Sequence, residues 1–99
     1  VWSLRMAVLD IKKVKKELRD LKNWILKDNK ISKEYTFPSY MNSIQFINKL
    51  AVEAEKYNHH PDMVVGWCNI KITLTSHDEG GVTDKCLIMA KSAEKVFLA

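Results

Sequence analysis

Cys68-Asn69-Ile70-Lys71-Ile72-Thr73-Leu74-Thr75-Ser76-His77 alternates its side chains with the period of a half-buried strand. Cys68, Ile70, Ile72, Leu74 and Ser76 point one way, toward a core. Asn69, Lys71, Thr73, Thr75 and His77 point the other way. Just upstream, Met63-Val64-Val65-Gly66-Trp67 predicts a short partner strand. A second hairpin is expected earlier in the chain. There Trp24-Ile25-Leu26-Lys27 and the alternating run Ile31 to Phe37 flank Asp28-Asn29-Lys30, with Asn29 suited to positive φ.

Helices fill the remaining stretches. Leu9 to Lys22 carries Ile11, Val14, Leu18 and Leu21 at helical spacing. Tyr40 to Tyr57 is the longest helical pattern, with Ser39 as its N-cap, Asn58 as its end and Pro61 barring continuation. It shows one apolar stripe of Met41, Ile44, Ile47, Ala51 and Ala54, and a second of Phe46, Leu50 and Tyr57. An arc this wide predicts two buried faces, one of them an oligomer interface. Thr83 caps a last helix with Leu87, Ile88, Ala90, Ala93, Val96 and Phe97 as its apolar positions. The order αββαββα predicts an α+β fold, a four-stranded antiparallel sheet with three helices on one face.

The chain has 99 residues, enough for a single core, and is expected to be one domain with residues 1–8 outside its ordered part. Its net charge is +4, but the positive charge is concentrated at Lys12, Lys13, Lys15, Lys16, Arg19 and Lys22. That run reads as the solvated face of the first helix. No aromatic residues interleave with it, so no direct nucleic-acid surface is indicated. No apolar run is long enough to span a membrane. The sequence opens without a charged-then-apolar leader, which suggests a cytoplasmic location, with nuclear entry also open. Cys68 and Cys86 lack metal-ligand spacing and are expected as free thiols, Cys68 in the core.

The chain's three histidines all sit at element ends: His59 and His60 in Asn58-His59-His60-Pro61, and His77 closing its strand. Histidine exchanges protons near neutral pH. The residues alone leave two readings open. One is a helix C-cap beside a surface histidine; the other is an acid–base site. A three-histidine zinc site is less favoured, since no pair has the i, i+4 spacing that puts two ligands on one helix face.

Glu55-Lys56-Tyr57-Asn58-His59-His60-Pro61, then Ile72 to His77, then Gly81-Val82-Thr83 resembles the pterin-4a-carbinolamine dehydratase family. Leu18 to Trp24, Tyr35-Thr36-Phe37 and Ala51 to Glu55 extend the resemblance over roughly residues 9–97. It implies removal of water from a 4a-hydroxytetrahydropterin to give the quinonoid dihydropterin, recycling tetrahydrobiopterin without metal or cofactor. By position, His59 and His77 resemble the acid–base pair, and His60 the histidine that holds the pterin. Glu55, Asn58, Thr75, Ser76 and Asp78 would complete the substrate-binding set.

Two positions depart from the family's usual pattern. Cys86 stands where an aspartate is common, and a neutral thiol is not expected to serve as the N-terminal anchor of the last helix; Asp84 could serve the helix dipole instead. Met63 stands where a tryptophan is common. The resemblance further implies a homo-oligomer, either dimer or tetramer. It also carries two alternatives: an interaction module for a homeodomain transcription factor, with Phe46, Leu50 and Tyr57 as its surface, or a weakly active pterin-binding protein.

Overall fold

The computed structural model describes residues 7–99. Its elements run α1 (Ile11–Leu18), β1 (Ile25–Lys27), β2 (Lys30–Thr36), α2 (Tyr40–Tyr57), β3 (Asp62–Val65), β4 (Asn69–Leu74) and α3 (Asp84–Leu98). The four strands form one antiparallel sheet in the order β1-β2-β4-β3. The fold is α+β in the order αββαββα.

Local chemistry sets each boundary. Asp28 and Asn29 both take positive φ, 53° and 61°. That is the two-residue turn whose twist matches a tight hairpin, and Asp and Asn tolerate it best after glycine. Ser39 accepts the Asn42 N–H at 3.1 Å and starts α2. Asn58 ends it in the left-handed region at φ 51°, and the His59 N–H returns to the Ala54 carbonyl at 3.0 Å. Asp10 caps α1 through the Lys12 N–H at 3.0 Å.

One face of the sheet is buried. Ile31, Tyr35, Ile70, Ile72 and Leu74 all point into it, in the registers Ile31↔Leu74 and Tyr35↔Ile70. Against them pack Phe46, Leu50 and Ala54 of α2, and Cys86, Leu87, Met89, Ala90 and Ala93 of α3. The Tyr35 ring meets Phe46 and Phe97 at centroid distances of 5.0 and 4.8 Å. Lys33 shares this parity, and its ammonium is met beneath the sheet by both carboxylate oxygens of Glu94, at 3.0 and 2.8 Å. The Tyr35 hydroxyl donates to the same carboxylate.

Several expectations are corrected. On α2 the core stripe is Ser43, Phe46, Leu50 and Ala54. Phe46 and Leu50 are therefore no docking surface; Met41 and Ala51 of the other stripe are exposed instead, as is Val52 beside them. Both stripes are apolar, and only the position of the helix over the sheet chooses between them. Cys68 lies outside β4 and is only half-buried, because the chain is still turning from β3. α1 is shorter than its pattern and closes with turns through Trp24. The expected disorder over residues 1–8 lies mostly outside the described residues. Val8 is described, and it sits close enough to Gly81 that a Cβ there would fall 2.7 Å from it.

Candidate functional site

Three chain segments converge at one end of the sheet: the end of α2, the turn after β4, and the start of α3. His59 is fixed to the end of α2 by its backbone bond to Ala54. Its Nε2 lies 3.2 Å from Cys86 Sγ, in the first turn of α3. Burial depresses its proton affinity below the ordinary histidine range, and Lys85, His60 and His77 push the same way; Glu79 opposes them. Histidines from both segments therefore lie within electrostatic reach of His59, and its neutral imidazole is the favoured form near pH 7.

His77 stands in a tight turn rather than at the strand end. Ser76 and Gly81 bridge, and the Gly80 N–H reaches the Ser76 carbonyl at 2.8 Å. Gly80 takes φ +78°, where a side chain would be strained. The turn thus presents His77 to solvent, with its Nε2 3.3 Å from Asp62 Oδ2 at the start of β3. His60 is exposed as well, and its Nε2 pairs with the Glu55 carboxylate one turn back along α2.

The remaining predicted residues divide. Glu55 touches the cluster through His60. Ser76 is buried beneath it, its hydroxyl 2.6 Å from Thr83 Oγ1 and 3.7 Å from Cys86 Sγ. Asn58 serves as the α2 cap. Asp78 is exposed in the His77 turn. Thr75 is not brought to the histidines, since its hydroxyl donates to the Asn29 carbonyl in the β1–β2 turn at 3.0 Å. It is also buried, against the outward parity expected of it, because that turn covers it.

The sequence reading missed the imidazole contact of Cys86 and the roles of Asp62 and Lys85. It also expected no anchoring by Cys86, yet the Thr83 N–H donates to its sulfur at 3.5 Å. Thr83 N-caps α3, so a thiol does fill the third-residue role there. Among the described residues, no group of three or more His, Cys, Asp or Glu side chains is arranged to hold a metal ion.

The sequence profile described as pterin 4 alpha carbinolamine dehydratase matches residues 7–96, nearly all of the described chain. The chain belongs to the pterin-4a-carbinolamine dehydratase family. A relative from Sulfurisphaera tokodaii, provisionally named a pterin-4-alpha-carbinolamine dehydratase, is 35% identical over 92 residues, covering 93% of this chain and 99% of its own. One from Thermosynechococcus vestitus with the same provisional name is 35% identical over 78 residues, covering 79% of this chain and 82% of its own. Among solved structures, a Brucella melitensis protein described as a transcriptional coactivator/pterin dehydratase superposes with a TM-score of 0.87 at 27% identity, covering 90% of this chain and 97% of its own. A pterin dehydratase-like RuBisCO assembly factor of the alpha-carboxysome shares the fold, with a TM-score of 0.61 at 23% identity over 74% of this chain and 84% of its own.

Proposed function

We propose that the protein dehydrates 4a-hydroxytetrahydropterins to quinonoid dihydropterins by histidine acid–base catalysis. The observation that carries this reading is that His60 and His77 both lie within electrostatic reach of His59, each of the three with a different partner for its Nε2: Glu55, Asp62 and a thiol respectively. The reaction needs two proton transfers and no redox step. The C4a–O bond breaks with its electron pair on oxygen, and that oxygen takes a proton to leave as water. The N5–H proton is removed, and its bond electrons form N5=C4a. His59 and His77 flank the 4a carbon and make these transfers. His60, held by Glu55, binds the pterin ring, with Asn58 and Asp78 contributing at its edge and Ser76 supporting the site from beneath through Thr83 and Cys86. General acid–base catalysis of this kind is worth about 10²–10⁴-fold.

The test is the decay of freshly generated 4a-hydroxytetrahydrobiopterin, followed by absorbance, with wild type beside the double variant His59→Ala/His77→Ala. Acceleration by wild type alone supports the reading. No acceleration over buffer would leave binding or interaction as the role.

Self-association belongs to the same proposal. Every residue of the edge strand β3 is exposed, including Val64 and Val65, and Trp67 follows at 78% exposure. An apolar edge with unpaired backbone groups favours pairing with a second copy. Met41 and Val52 give α2 a further exposed apolar face for a tetramer, or for the transcription-factor partner that the alternative reading requires. Sedimentation at micromolar concentration separates monomer from dimer and tetramer. No described helix is long and apolar enough to cross a membrane, and a cytoplasmic setting suits the proposed substrate.

A further inference from the structure

Cys86 is fully buried, and its sulfur has neighbours of unequal kind. The Thr83 N–H at 3.5 Å can only donate. The hydroxyls of Ser76 and Thr83 bond each other at 2.6 Å, which uses one of their two protons and leaves the second without an assigned acceptor. Both hydroxyl oxygens stand near the sulfur, at 3.7 and 3.9 Å. The sulfur is thus supplied with donors. Its own proton has one acceptor closer than these hydroxyls, His59 Nε2 at 3.2 Å. An imidazole nitrogen is a good acceptor and a thiol sulfur a poor one, so the S–H···N arrangement is preferred over N–H···S.

His77 has the opposite surroundings. Its Nε2 faces the Asp62 carboxylate, which accepts only, so that nitrogen carries the proton and Nδ1 keeps its lone pair.

We propose that Cys86 is a positioning residue that holds His59 as its Nδ1–H tautomer, making His59 the proton donor of the pair and His77 the acceptor. The donor and acceptor roles rest on the dehydratase reading; the tautomers do not. In the reaction, His59 Nδ1–H gives its proton to the departing 4a-oxygen while the thiol proton passes to Nε2. His77 Nδ1 takes the N5 proton. After water and product leave, the proton on His77 returns through solvent to His59 Nδ1, while Nε2 hands its proton back to the sulfur, restoring the starting tautomer. The depressed proton affinity of His59 suits this role, because the donor is then a neutral imidazole. The charged or titratable groups bearing on His59 are Lys85 and Cys86 from α3, His60 beyond α2, and His77 and Glu79 from the turn after β4.

The test is nitrogen-15 NMR of imidazole-labelled protein without substrate, at a pH where His59 is neutral. Wild type is expected to show a protonated Nδ1 and a bare Nε2 at His59, and Cys86→Ser, which keeps a donor, the same. Cys86→Asp replaces donor with acceptor. It should flip His59 to Nε2–H and move its titration upward. Turnover of that variant then falls as pH rises through the new titration, a limb absent from wild type. Cys86→Ala should lose the tautomer preference and about tenfold in kcat at unchanged KM, roughly one hydrogen bond's worth. A wild type already in the Nε2–H form overturns the proposal, and so does an unchanged tautomer in Cys86→Asp. If Cys86→Asp fails to fold, loss of the tautomer in Cys86→Ser overturns it equally. A wild type with the expected tautomer but no turnover supports the positioning role and overturns the dehydratase reading instead.

Discussion

Two polar clusters lie at different places on the same sheet, and their contrast separates structure from chemistry. Beneath the sheet, Lys33, Tyr35 and Glu94 saturate one another: the carboxylate receives the ammonium twice and the phenol once. Burial first, then Glu94, drives the Tyr35 hydroxyl far above its usual range, so it stays a neutral donor. At the end of α2 and the start of α3, the histidines use one ring nitrogen each and reach solvent, His77 with a side-chain exposure of 68%. A saturated, enclosed cluster holds the fold in place. A half-committed, accessible one is free to exchange protons.

The sharpest way to break the contrast is at the histidines. His59→Ala and His77→Ala should each lower kcat about 10²–10⁴-fold, with the midpoint of urea unfolding near that of wild type. Collapse of the fold with the activity would make the cluster structural. Glu94→Ala attacks the other side. Removing one partner of a largely buried pair costs about 3 kcal/mol, so urea unfolding should shift strongly, while KM and kcat of the folded fraction hold.

His60→Ala should raise KM about tenfold with kcat nearly unchanged, since one hydrogen bond to the ligand is lost. Steady-state kinetics over a range of substrate concentrations check this. The smallest effect is in pH. His59 binds its proton more weakly in the folded chain than its ordinary value of 6.5. The unfolded chain therefore takes up more protons as pH falls through 6.5, and stability declines from there toward the folded value; well above 6.5 this residue contributes no slope. His59→Gln should flatten that part of the stability curve, measured by urea unfolding at several pH values.

Much of this was legible in the sequence because it is local. The β4 alternation, the Asp28-Asn29 turn, the Ser39 and Thr83 caps and the Asn58 terminus each follow from a few neighbouring residues and a backbone preference. The three histidines could be singled out because their residue type and order resemble a family pattern. The α2 stripes could not be ranked, since Met41 and Ile44 are as apolar as Phe46 and Leu50.

The sequence by itself determined the order of elements and the alternation that buries one sheet face, and it singled out the three histidines as candidates for proton exchange. Those are properties of short segments, written in periodicity and turn chemistry. Only the tertiary structure decided which α2 stripe is core, that Thr75 turns away to Asn29, and that Cys86 meets His59 while Asp62 meets His77. Each of those pairings joins residues far apart in the chain. Their distances depend on how two helices and a hairpin settle on the sheet, which no local preference encodes.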